Sequence, residues 1–182
     1  MNLVLVSDIF GKTPALVTLA KKLNANMIVD PYSGVDMAFN SEQQAYEYFI
    51  QHSGLENYES ILHEAIKPLA NNVILIGFSV GASAIWSMSA KSSVKTSAKG
   101  ICFYGSQIRH HTELNPAFEI ELIFPHYEQH FDVKALQAKL ATKPNVSAKC
   151  IDYLHGFMNP HSNNFNQRAY DETLAVLSNK LM

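Results

Sequence analysis

The chain has 182 residues, 47% of them hydrophobic, which is enough to build one core and predicts one domain over residues 1–182. Lys and Arg number 14 against 16 Asp and Glu, a formal net charge of −2. This balance excludes the basic surplus of a nucleic-acid binder and the acidic excess of a disordered tail. Cys102 and Cys150 sit in separate apolar runs with no CxxC pair, so buried free thiols are expected rather than a disulfide scaffold.

In chain order, the first element is the apolar run Asn2–Val6, which ends in Ser-Asp and suits a buried strand. The segment has no basic n-region and no long apolar stretch, so no signal peptide is expected and a cytoplasmic location is. Thr13 followed by Pro14 is a paired start signal for a helix to about Leu23. A short strand, Asn26–Val29, ends at Asp-Pro-Tyr-Ser-Gly. Ser41-Glu-Gln-Gln resembles a capping box ahead of a helix to about Gln51, and another helix is expected over Asn57–Leu69.

Val73-Ile-Leu-Ile-Gly reads as a strongly buried strand, with a helix over Ala82–Ala90 behind it. Glycines and serines interrupt the apolar stretch to Trp86, which falls short of the ~20 residues that span a bilayer, so no membrane contact is expected. Strands follow at Lys99–Tyr104 and Phe118–Phe124, then a helix from Asp132 as N-cap to about Ala141. Val146–Tyr153 is the last strand and Asn166–Lys180 the last helix. Strands alternating with helices predict an α/β fold, a mostly parallel sheet with helices on both faces. In such sheets, ligands bind at the carboxyl ends of the strands.

Gly77-Phe78-Ser79-Val80-Gly81 matches G-x-S-x-G, for which a chain of this length gives roughly 0.06 chance matches. A buried strand before it and a small-residue helix after it make a setting for a nucleophile elbow. The turn would lift the Ser79 hydroxyl into a cleft and aim the Val80 amide at the point where an oxyanion forms. His155 follows the last strand directly and is the expected base; His52 and His63 lie on helices, and His110 and His111 in a loop. The third member should be a carboxylate between Ser79 and His155 in chain order. Glu128 and Asp132 are both available after Phe124; Glu128 is preferred, because Asp132 already serves as an N-cap. His126 and His130 flank Glu128, but H-x-E-x-H next to Pro125 is not the helical H-E-x-x-H pattern, so no metal is expected. With no Walker loop and no G-x-G-x-x-G, no nucleotide cofactor is expected.

Four segments together resemble the dienelactone hydrolase family of α/β-hydrolases: Ser7-Asp-Ile-Phe-Gly, Gly77-Phe-Ser-Val-Gly-Ala-Ser-Ala, Ile101-Cys-Phe-Tyr-Gly and His155-Gly-Phe-Met-Asn-Pro. They stand in the family's order and spread over most of the chain. The resemblance implies an α/β-hydrolase fold and a nucleophile–His–acid hydrolase that needs no cofactor; with 182 residues the chain is short for that fold, so a compact domain without a lid is expected. It places the nucleophile at Ser79, where many members have Cys, and the base at His155. It makes the Ile9 amide the second oxyanion donor beside that of Val80. Asp8 stands where members with a thiol nucleophile have an assisting glutamate. The family's usual acid position is Gln129 here, so Glu128 would have to substitute from one residue earlier.

Asp8, Phe10, Phe78 and Tyr104, next to these motif residues, are expected to line the substrate pocket. Arg109, one of two arginines with Arg168, follows the Tyr104 strand, where it is placed either to offer its guanidinium to a substrate carboxylate or to make a surface salt bridge. The expected partner is a small ester, lactone or thioester, with the chain a monomer or homodimer. Two rival readings use the same residues: a ligand-binding protein that keeps the fold without turnover, and an acyltransferase.

Overall fold

The computed structural model describes residues 2–69, 72–91 and 98–181. Six strands form one parallel sheet: β1 (Asn2–Val6), β2 (Met27–Val29), β3 (Val73–Phe78), β4 (Lys99–Phe103), β5 (Glu119–Pro125) and β6 (Val146–Ile151), in the order β2-β1-β3-β4-β5-β6. The helices are α1 (Pro14–Lys22), α2 (Glu42–His52), α3 (Gly54–Ile66), α4 (Val80–Ser89), α5 (Val133–Leu140) and α6 (Gln167–Leu181), with a 3-10 turn at Ser106–His110.

The central strands are apolar at nearly every position because both faces are covered. Side chains alternate between two cores. Val4, Val6, Leu75, Cys102, Leu122 and Phe124 face residues of α2, α3, α4 and α5. Leu3, Leu5, Ile76, Ile101, Phe103 and Ile123 face α1 and α6. Burying one such side chain is worth ~2 kcal/mol, so the two faces together hold the sheet between its helices. The edge strand β6 is only half-covered, and Cys150 is partly exposed there, whereas Cys102 is buried as expected. No described helix is long and apolar enough to cross a membrane.

The caps follow local chemistry. Thr13 Oγ1 accepts from the Leu16 amide at 3.2 Å and Ser41 Oγ from the Gln44 amide at 3.1 Å. Asn166 Oδ1 accepts from Ala169 at 2.9 Å. Helix α3 runs earlier than its sequence pattern predicts. It starts at Gly54, with only Ser53 separating it from α2, and ends at Ile66; Lys67 keeps helical dihedrals as its C-cap, and Pro68, which has no amide hydrogen to donate, breaks the bonding pattern there.

From β1 the chain moves to one side of the sheet, and from β3 it moves steadily to the other. The adjacent carboxyl ends of β1 and β3 are therefore a topological switch point, where parallel sheets open a crevice. Asp8-Ile9 leaves β1 there and Ser79 leaves β3 there.

Candidate active site

Ser79 is the single residue between β3 and α4, with φ 51° and ψ −113°. A non-glycine residue in the left-handed half of the map costs on the order of 1–3 kcal/mol and persists only where its surroundings impose it. Here the crowding on both sides imposes it. A Cβ on Gly77 would stand 2.6 Å from Ile85 Cδ1 and 2.7 Å from the Ala82 nitrogen. A Cβ on Gly81 would stand 2.3 Å from the Ser7 carbonyl oxygen and 2.5 Å from that of Val6. The two flanking glycines thus let α4 start directly against β1. The Ser79 amide donates to Phe103 O at 3.0 Å, and Ser79 O accepts from the Ser83 amide at 3.1 Å. That anchorage leaves the hydroxyl to point outward.

The hydroxyl meets an imidazole. Ser79 Oγ lies 2.9 Å from His155 Nε2, and His155 Nδ1 lies 2.7 Å from Glu128 Oε1. An ionised carboxylate only accepts, so Nδ1–H donates to Glu128 and Nε2 is left to accept the serine proton. Glu128 comes from the loop after β5 and His155 from the loop after β6, two adjacent strand ends. Asp132 does not share the site: its Oδ1 accepts from the Ala135 amide at 3.0 Å and caps α5. The tight turn past His155 is made by Gly156, at φ +85°, where a Cβ would strike Ser162 Oγ at 2.3 Å. Asn164 Nδ2 donates to His155 O at 2.9 Å and pins the same turn.

The amide of Val80, first in α4, has no intrahelical acceptor, and that of Ile9 has none among the described residues. Ile9 is fixed from both sides. Asp8 Oδ1 accepts from the Phe10 amide at 2.9 Å, and Ile9 O accepts from the Tyr32 hydroxyl at 2.7 Å. Asn159 Nδ2 donates to Asp8 Oδ2 at 2.6 Å. Burial raises Asp8 above the usual carboxylate range, opposed by the Phe10 and Asn159 hydrogen bonds and by the nearby His155 and His161. Tyr58 completes the support from below: its hydroxyl sits 3.0 Å from both Ser7 O and Val29 O. Tyr32 and Tyr58 carry no signal in the sequence pattern, being single polar groups in a loop or on a helix, whereas Asn159 stands inside the His155-Gly-Phe-Met-Asn-Pro segment without a role assigned to it there.

Beside these residues lies a narrow cavity of about 30 Å³ between α1, α6 and the loop after β6. Asp8, Thr13, Leu16, Leu19, Phe78 and Tyr104 form much of its wall. Phe10 is not in that wall; it is buried and its ring stacks on His161 with centroids 5.5 Å apart. Arg109 departs from expectation. Its guanidinium donates to Ser106 O at 2.7 Å and lies over the Phe131 ring, away from the cavity, because the 3-10 turn folds the side chain back on its own backbone. His52 and His110 are exposed, and His111 is engaged through its carbonyl by Trp86 Nε1.

No protein-family model matches the chain. It is 34% identical over 184 residues to the uncharacterized protein YczH of Bacillus subtilis, covering 97% of this chain and 90% of that one. A dienelactone hydrolase from Anabaena variabilis superposes with a TM-score of 0.66 at 16% identity, over 98% of this chain and 84% of the other. A dienelactone hydrolase-like promiscuous phosphotriesterase from metagenomic libraries superposes with a TM-score of 0.67 at 11% identity, over 99% and 84%. Identities this low speak for the fold.

Proposed function

We propose that this chain, which belongs to the family of YczH and carries the α/β-hydrolase fold of the dienelactone hydrolases, is a serine hydrolase of small esters, lactones or thioesters. The observation that carries the reading is the run of short contacts from Ser79 Oγ through His155 to Glu128, 2.9 and 2.7 Å long.

In this reading Ser79 Oγ attacks the substrate carbonyl carbon while His155 Nε2 takes the hydroxyl proton. Glu128 holds the ring in the right tautomer and stabilises its charged form. The tetrahedral oxyanion is received by the amides of Ile9 and Val80, and losing one such donor typically costs ~3–4 kcal/mol of barrier. The intermediate collapses to an acyl-serine as His155 gives its proton to the departing alcohol or thiol. A water then repeats the attack, with His155 as base, and releases the acid and free Ser79.

The test is covalent labelling with a fluorophosphonate probe. The wild type is expected to be labelled and Ser79→Ala is not. Equal labelling of both proteins, or of neither, would support a binding protein that keeps the fold without turnover.

A further inference from the structure

The Tyr104 hydroxyl is buried and finds no hydrogen-bond partner of ordinary geometry among the described residues, although the Met158 backbone amide lies nearby. Buried tyrosine hydroxyls usually find a partner, and an orphan costs stability that a phenylalanine of the same shape would not. Tyr104 is also strained: its φ is 41°, a value L residues rarely adopt. Its amide is held by Ile123 O at 2.8 Å, and its ring packs on Phe78 and on His155, whose centroid is 5.0 Å away. Two independent penalties thus fall on one residue, and its side chain lines the cavity described above.

The cavity lies behind the proposed chemistry: Ser79 and His155 are not in its wall, but Tyr104, which is, packs on the His155 ring, and Phe78 and Asp8 directly precede Ser79 and Ile9. Its volume of about 30 Å³ suits two or three non-hydrogen atoms, since one water needs ~10–15 Å³ on the same measure. Most of the wall is apolar, and no Lys or Arg lines it, while Asp8 does. A carboxylate would meet repulsion and find no cation there. A neutral hydroxyl suits this wall: it could accept from the otherwise unpartnered Tyr104 hydroxyl and donate to an Asp8 oxygen.

We propose that Tyr104 and Asp8 form a subsite for a neutral hydroxyl on the acyl chain, so that the enzyme takes esters of short hydroxy acids. This rests on the serine-hydrolase reading above.

The experiment compares kcat/KM for phenyl 3-hydroxypropanoate with that for phenyl butanoate, which differ by a hydroxyl in place of a methyl. Monophenyl malonate supplies the carboxylate arm. The wild type is expected to favour the hydroxy ester about tenfold and Tyr104→Phe to remove most of that preference, the scale of one such hydrogen bond. The malonate ester should be the poorest of the three. Leu16→Trp, which narrows the same cavity from α1, should lower the rate for the hydroxy ester relative to phenyl acetate. A wild-type preference at or below one, a preference untouched by Tyr104→Phe, or a favoured malonate ester overturns the proposal. If those results come from a protein that a fluorophosphonate labels at Ser79, only the subsite falls. If the wild type is neither labelled nor active on any ester, the hydrolase reading falls with it.

Discussion

Asn159 and Asp8, 151 positions apart, are joined by a 2.6 Å hydrogen bond from Nδ2 to Oδ2. It ties the loop after β6, which carries His155, to the loop after β1, which carries the Ile9 amide. His155 and the Ile9 amide, the proposed base and proposed oxyanion donor, are thereby held in fixed relation. Asn159→Ala should therefore lower kcat on a phenyl ester by about tenfold, because misplacement at a reacting centre costs rate steeply. The loss of stability should stay near 1–3 kcal/mol, the scale of a hydrogen bond to a charged group. Steady-state kinetics beside thermal melts would check this; an unchanged kcat would mean the two loops hold their relation without the bond.

Asp8 gives a pH-dependent prediction with a definite sign. Burial raises its folded-state value above 3.8, so the folded protein holds this proton in a range where the unfolded chain has lost it. Stability from this group is then present at low pH and falls as pH rises through the raised value. Asp8→Asn cannot ionise and escapes that decline. The difference in unfolding free energy should move in the variant's favour as pH rises above the ordinary Asp value of 3.8. Denaturant titrations across that range are the measurement, and a flat difference would show that the Phe10 and Asn159 bonds fully offset the burial.

The parts that could be read from the sequence are those with one dominant physical cause. Strands β1, β3, β4 and β5 are apolar runs because two cores need them, and their positions emerge from the residues directly. Thr13, Ser41 and Asp132 announce helices because their side chains serve amides that no backbone group can serve. Glu128 was separable from Asp132 for the same reason: one carboxylate had a cap to make and the other did not. The start of α3 was hidden by Gly54, a residue that ordinarily argues against a helix and here turns the chain at φ +69°. Arg109 lies at the expected sheet edge, but an edge position does not say which way a long side chain folds. Tyr32 meets the Ile9 loop only through a contact between distant loops that no local pattern encodes, and Asn159, though inside a motif segment, shows its bond to Asp8 only in the folded chain.

Gly81 should tolerate nothing larger. Its added Cβ would meet the backbone carbonyl oxygens of Ser7 and Val6, where β1 ends, at 2.3 and 2.5 Å, and backbone tied to the sheet on both sides cannot step aside. Gly81→Ala should cost more than about 3 kcal/mol, the scale of a severe overpacking, and reduce soluble expression. At Gly54, by contrast, a Cβ meets nothing within 4 Å, and only its φ of +69° is unfavourable. Gly54→Asn should cost no more than about 1 kcal/mol, since asparagine enters this region more readily than other residues. Chemical denaturation of the two variants would rank them, and a mild Gly81→Ala would mean that α4 can retreat from β1.

Replacing Glu128 with Gln keeps the size of the side chain but changes what it offers to His155 Nδ1. The carboxylate accepts at 2.7 Å and so selects the tautomer with the proton on Nδ1. An amide can present its NH2 instead, which favours the opposite tautomer and leaves Nε2 carrying a proton when it must receive one. For a serine–histidine pair, disturbing this partner lowers kcat by as much as ~10⁴ with the geometry intact. Asp132→Asn should leave both rate and stability nearly unaltered, because asparagine caps a helix about as well as aspartate. The decisive measurement is kcat of both variants on one phenyl ester. A collapse confined to Asp132→Asn would mean that the loop after β5 rearranges when substrate arrives and delivers a different carboxylate to the ring.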